Sequence, residues 1–271
     1  MSSFFDMPPG SARKPDRPVL NRAHPLARGL VGLWVPSRVR GSTLHDLSNR
    51  NNATISGPQW SLASDPLWGN VLDFNGTTDD VTFPSPGIGS PLAVSWLAWI
   101  RPDVLTAYDG LFFSRDAVAV GLLFSGAAGN PLTILWDGFT QEYDRQTNLP
   151  LQVGRWNMCV GVVDSVTDVH VSYLGVDGRV SSDTYSIGTL VKNLDQQWSI
   201  GEDPFSERAV DGAIGLATMW DRALTMTEVH ELYKHPWSLV TPPQRVPVGT
   251  PVDTSIPVFA HHYRQLRRRA A

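Results

Sequence analysis

A single cysteine, Cys159, stands in a chain of 271 residues, so no disulfide can form within it and stability must come from packing. Long apolar runs are missing as well. No stretch approaches the roughly 20 residues that a membrane-spanning helix needs. The opening Met1-Ser-Ser-Phe-Phe-Asp-Met-Pro-Pro-Gly10 has no basic start followed by an apolar run, so no secretion signal is expected and folding in a cytoplasm fits. No Gly-x-Ser-x-Gly, phosphate-binding Walker loop or dinucleotide fingerprint occurs, which removes the usual grounds for a nucleophile elbow or a nucleotide site. The pair His230 and His235 nearly resembles a zinc-protease helix, but the second histidine comes five residues on instead of four. On a helix of 3.6 residues per turn that swings the two rings apart, and Pro236 follows at once.

What is present points to an all-β fold. Ten Trp and 23 Gly suit large core side chains joined by tight turns, and the length permits one large β-sandwich or two small domains. Short apolar stretches separated by turn residues read as strands at 29–35, 71–74, 80–83, 92–100, 110–113, 120–124, 132–136, 156–163, 169–174 and 197–201. Asn75-Gly76 between two of them is a hairpin signal, because both residues tolerate positive φ. Arg101-Pro102 reads as the end of the 92–100 strand.

The most legible stretch closes the globule. From Ala213 to Trp220 nearly every residue is apolar or small, as expected of a strand covered on both faces. A helix then starts with Thr225 as its cap, Glu228 completing a capping box, and Leu224 and Val229 at the staple positions. Val229, Leu232 and Tyr233 form its apolar stripe, and Pro236 stops it.

Gly212-Ala-Ile-Gly-Leu-Ala-Thr-Met-Trp-Asp-Arg-Ala-Leu-Thr-Met-Thr-Glu-Val-His-Glu-Leu-Tyr233 resembles the closing signature of laminin-G-like domains, members of the concanavalin A-like jelly-roll superfamily. Gly29-Leu-Val-Gly-Leu-Trp34, Asp46-Leu-Ser-Asn-Arg-Asn-Asn-Ala-Thr54 and Leu72-Asp-Phe-Asn-Gly-Thr-Thr-Asp-Asp-Val81 resemble the opening signatures, in the same order. The resemblance implies a two-sheet jelly-roll sandwich over 29–236 with one short C-terminal capping helix. The family often has an acidic pair after the Ile of the closing strand, where this chain has Gly215-Leu216. Glycosidases sharing the sandwich place carboxylates at Glu-x-Asp-x-x-Glu spacing, one to attack and one to protonate. The five glutamates here, Glu142, Glu202, Glu207, Glu228 and Glu231, do not fall in that pattern, so no catalysis is expected.

Sugar binding and calcium are the family's themes. A sugar platform needs an exposed ring beside polar groups, for which Trp68, Trp136 and Tyr143 are candidates. Calcium takes six to eight oxygens from several loops. Asp46 with Ser48 and Asn49, Asp79 with Asp80, or Glu202 with Asp203 could contribute some of them. No other cofactor is implied.

Flanking the globule, 1–28 and 237–271 read as extended proline-rich arms. Charge divides along the same lines. The first arm has five Lys/Arg against two Asp, a net +3, and the second has five Arg against one Asp, a net +4. The remaining 29–236 carry −11. Such asymmetry suggests a partner. Arg264, Arg267, Arg268 and Arg269 are the candidate contacts, with an acidic protein surface preferred over nucleic acid because no aromatic residues interleave. Compact modules of this kind resemble proteins of tailed bacteriophages. That resemblance implies a non-catalytic virion protein, a capsid-decoration or accessory subunit anchored by its arms in an assembly built in the host cytoplasm. A carbohydrate-binding lectin-like module, free or virion-borne, is the alternative, with surface glycans as partners and no membrane.

Overall fold

The computed structural model describes residues 13–37, 40–63, 67–115, 119–124, 132–135, 149–186, 192–203 and 208–241. Two antiparallel sheets stack into a jelly-roll sandwich. The larger has eight strands, in the order Arg179–Tyr185, Val169–Val176, Asn157–Asp164, Ala93–Val104, Asp211–Trp220, Asn70–Asn75 and Gln59–Leu62, with Leu30–Trp34 also on Asp211–Trp220. The other has seven, in the order Leu132–Leu135, Ala119–Phe124, Gly110–Arg115, Trp198–Ile200, Asp80–Phe83, Ala53–Ser56 and Thr43–Leu44.

Asp211–Trp220 is the hub of the larger sheet. One edge pairs with Ala93–Val104 along its length, and the other pairs first with Asn70–Asn75 and then with Leu30–Trp34. Both of its faces are covered, as its apolar run predicts. Ile214, Ala217 and Met219 join Phe83, Phe112, Phe124 and Ile200 in the core between the sheets. Ala213, Leu216 and Trp220 face a second core on the other side of the larger sheet.

The helix Met226–Lys234 closes that second core. Thr225 Oγ1 accepts from Glu228 N at 3.3 Å and Glu228 Oε2 accepts from Thr225 N at 2.8 Å, which completes the capping box. Arg222 reinforces the start by donating to both Glu228 oxygens, at 2.9 and 2.7 Å. Burial opposes the Glu228 charge, but the hydrogen bonds from Arg222 and Thr225 prevail and hold the carboxyl below its usual value. Val229, Leu232 and Tyr233 are buried, together with the staple residue Leu224.

Three local expectations change. Asn75-Gly76 makes a tight turn, with Asn75 Oδ1 accepting from Thr77 N at 2.9 Å, yet it is no hairpin. Asn70–Asn75 belongs to the eight-stranded sheet and Asp80–Phe83 to the seven-stranded one, so the turn crosses between layers. The Ala93–Val104 strand runs on through Pro102, which sits opposite Gly212 at a register shift, where an absent N–H costs no regular ladder bond. The described parts of both arms lie on the globule. Val19–Leu20 pairs antiparallel with Val240–Thr241, and Leu26, Trp237 and Leu239 are buried in the second core. Lys14 Nζ is also buried and donates to the carbonyls of Pro36, at 2.7 Å, and Asn70.

Candidate functional site

Polar side chains gather where the loop 105–109 crosses from the larger sheet into the strand Gly110–Arg115. Tyr108 there has φ +70°, a conformation that bulky side chains rarely adopt. It and Asp109 are held by one backbone bond each to Phe124. Tyr108 N donates to Phe124 O at 2.7 Å, and Phe124 N donates to Asp109 O at 3.1 Å. Asp109 is buried, and its Oδ2 accepts from Thr106 N at 3.1 Å.

A short ribbon, Glu202–Asp203 paired with Arg208–Ala209, lies across this strand. It can approach because residue 110 is glycine, where a Cβ would stand 2.4 Å from Asp203 N. The ribbon brings the Arg208 guanidinium carbon to 4.7 Å from the centre of the Tyr108 ring. It also aligns Asp203 with Arg115, whose Nε and Nη2 donate at 2.9 and 2.8 Å. The Arg115 guanidinium in turn sits 5.3 Å from the Phe113 ring centre.

Burial pushes the Asp109 carboxyl up to about 7, and Asp211 pushes the same way, while the Thr106 N–H and the Arg208 charge pull it down. A half-buried aromatic ring and a guanidinium therefore share one rim, with a carboxyl poised near neutrality buried behind it. That combination suits recognition of a polar ligand with an apolar face.

Of the residues singled out in the sequence, Glu202 and Asp203 lie in the ribbon at this site, and the other described candidates lie elsewhere. Trp68 is 0% exposed, stacked on Trp156 at 4.2 Å and met edge-on by Trp237 at 5.0 Å, so it is core and no sugar platform. Trp136 and Tyr143 lie outside the described residues, as do Arg264, Arg267, Arg268 and Arg269. Asp46 is buried, and its carboxylate accepts from the backbone N–H groups of Leu33, Ser48, Arg50 and Asn51 and from Ser48 Oγ. It fastens the 46–52 loop to the strand Leu30–Trp34, and its lone pairs are spent. Asp79 is buried beneath the 75–79 turn, accepting from Asn75 N at 3.0 Å. Asp80 bonds Ser56, and burial raises its carboxyl. Among the described residues no three His, Cys, Asp or Glu side chains are grouped to hold a metal. Cys159 is buried, which pushes its thiol far above its ordinary range and leaves it unreactive.

Tyr108, Asp109 and Arg208 carry no motif. The sequence shows only the turn dipeptide Asp109-Gly110, and the left-handed backbone of Tyr108 leaves no mark in it.

Two stacked antiparallel sheets with a capping helix define a lectin-type sandwich. Sequence comparison agrees. The chain belongs to the concanavalin A-like lectin/glucanases superfamily, whose Laminin_G_3 model matches residues 75–230. No curated protein sequence matches it significantly. Domain 4 of AbnA, an extracellular arabinanase from Geobacillus stearothermophilus solved with arabinotriose, superimposes with a TM-score of 0.57 at 21% identity. It matches over 75% of this chain and 98% of that domain. Trypanosoma rangeli sialidase superimposes with a TM-score of 0.54 at 16% identity, over 76% of this chain and only 32% of the sialidase. The binding domain of Paraclostridial Mosquitocidal Protein 1 gives 0.52 at 16%, over 77% of this chain and 52% of that domain. At these identities the likeness concerns the fold. Among the described residues no helix is long and apolar enough to cross a membrane.

Proposed function

We propose that this protein is a non-catalytic saccharide-binding module whose contact surface is the rim formed by Tyr108 and Arg208, with Asp109 buried behind them. The observation that carries the reading is the left-handed Tyr108, locked to Phe124 and set against Arg208 beside a carboxyl raised to about 7. Strained backbone at an exposed loop is retained where function uses it. The ring supplies a surface for sugar C–H groups, and the guanidinium supplies donors for hydroxyls. Support comes also from a relative of the same fold solved with arabinotriose and from another described as a binding domain. The test is a saccharide array followed by calorimetry on the full chain. Tyr108→Asn keeps a residue that tolerates positive φ while removing the ring, and it should weaken binding at least tenfold. Equal binding by Tyr108→Asn and Arg208→Ala proteins, or release of reducing sugar from a bound glycan, would refute the proposal.

A second reading concerns where the module is carried. The net +3 of 1–28 and the five Arg of 237–271 suit attachment to an acidic partner. We propose that the partner is a bacteriophage virion, on which the chain serves as a capsid-decoration or accessory protein after assembly in the host cytoplasm. The pairing of Val19–Leu20 with Val240–Thr241 supports joint anchoring, because it brings the segments leading to both termini to one face. Neutralising Arg264, Arg267, Arg268 and Arg269 should weaken attachment, most at low salt. Full occupancy of particles by a protein ending at residue 241 would exclude the C-terminal anchor.

A further inference from the structure

The strand Arg179–Tyr185 ends the order of the eight-stranded sheet, with Val169–Val176 on one side and no described strand on the other. At seven residues it is the longest strand at the end of either sheet, since Gln59–Leu62, Thr43–Leu44 and Leu132–Leu135 have two to four. Open edges are commonly guarded by a bulge, a lysine or a proline. This one has none of them. It pairs with Val169–Val176 at seven successive positions without a register shift, and it contains neither Lys nor Pro. Ser181, Ser182 and Thr184 are exposed, so the edge is open to solvent.

The preceding turn fixes which backbone groups face outward. Asp177 and Gly178 form a two-residue hairpin turn, with φ of +50° and +79°. Val176 and Arg179, which flank it, therefore exchange both backbone bonds. By alternation Ser181 and Asp183 also bond inward, which leaves the N–H and C=O groups of Val180, Ser182 and Thr184 pointing out. The side chains of Arg179, Ser181 and Asp183 share the face of Leu174, toward the seven-stranded sheet. Arg179 and Ser181 border an open groove of about 490 Å³ there, and Arg179 makes no ion pair among the described residues.

We infer that two copies of this chain pair antiparallel along Arg179–Tyr185, with Ser181 on the two-fold axis. The same residues then supply both halves of the contact, as a two-fold interface requires. Charge selects the register. With Ser181 at the centre, Arg179 of each copy stands opposite Asp183 of the other, and Val180 opposite Ser182. Val180 and Ser182 exchange their outward backbone bonds. Arg179 and Asp183 occupy a non-hydrogen-bonded position, where side chains approach most closely. The neighbouring registers lack this match: a centre at Val180 sets Asp183 against Asp177, and a centre at Ser182 sets Arg179 against Tyr185. The contact is separate from the Tyr108 rim and rests on neither reading proposed above.

Sedimentation of the full chain tests it. The parent protein should reach a mass twice 29.8 kDa as its concentration rises. Arg179→Asp and Asp183→Arg should each weaken the dimer at least tenfold, because each sets like charges opposite one another twice. An equal mixture of these two proteins should regain the dimer, as should the double variant carrying both changes. Ser182→Pro removes an outward N–H and no bond within the chain, so it should give monomers with the melting temperature of the parent. A parent that stays monomeric overturns the inference. So does a dimer that Ser182→Pro leaves intact, or a charge variant whose loss neither the mixture nor the double variant restores.

Discussion

Gly215 makes room for Trp68: a Cβ on residue 215 would stand 2.4 Å from Cε3 of the Trp68 ring. The bare Cα lets Trp68 lie over the larger sheet and stack on Trp156 at 4.2 Å, with Trp99 centred 5.1 Å away. One missing side chain thus turns the outer face of the sheet into an aromatic core.

Gly215→Ala should therefore destabilise the protein, at about 1–3 kcal/mol for an overpacked site. Gly215→Asp should cost more, since it also sets a carboxylate among indole rings. Urea midpoints measure both, and a Gly215→Asp protein as stable as its parent would show that Trp68 can move aside freely.

The join of strand and helix should be equally sensitive. Trp220 is 0% exposed and its Nε1 donates to Leu26 O at 2.8 Å, tying the closing strand to the N-terminal segment. Trp220→Ala is expected to cost about 3–5 kcal/mol and Leu232→Ala, at the buried helix face, about 2–5 kcal/mol. Thermal melts unchanged by both substitutions contradict the packing of the second core.

Asp46 offers a test that separates structure from metal binding. Asp46→Ala strands the Leu33, Ser48 and Asn51 N–H groups, at about 1–3 kcal/mol for each donor left buried without a partner. Chelation of calcium by EGTA should leave the melting temperature of the parent protein where it was. A clear drop on chelation means that other oxygens hold an ion.

Stability should depend on Lys14 above neutral pH. Burial lowers its pKa from 10.5 to about 7. Between these values the unfolded chain keeps a proton that the folded chain has released, so raising the pH favours folding. Below about 7 both states are protonated, and the cost of burying the charge is fully present. Denaturation midpoints are expected to rise between about pH 7 and pH 10, and Lys14→Met should remove that rise. Parallel curves for the two proteins would rule out Lys14 as its source.

Much of the fold was legible because its signals are local. The capping box needs only Thr225 and Glu228, three residues apart, and the structure shows both of its hydrogen bonds. The continuous apolar run 213–220 marks a strand with no wet face, and it is the hub of the larger sheet. The short strands Ala53–Ser56 and Gln59–Leu62 were missed. Each alternates apolar and polar residues, but for only four positions and with exposed residues in both, which is too short a pattern to stand out between turns. The candidate site was not legible at all, since Tyr108 and Arg208 meet only when a ribbon folds across Gly110.

The sequence by itself determined the class of fold, the helix and its start, and the turn at Asn75-Gly76, because hydrogen bonds and sterics acting over three to five residues set these. Tertiary structure alone decided that this turn joins two sheets, that Trp68 is core, that Asp46 is a staple, and that Tyr108 meets Arg208. Those outcomes depend on which distant segments pair and what they bury. A side chain's type fixes what it can do, but only its neighbours decide whether it meets water, a carbonyl or another ring.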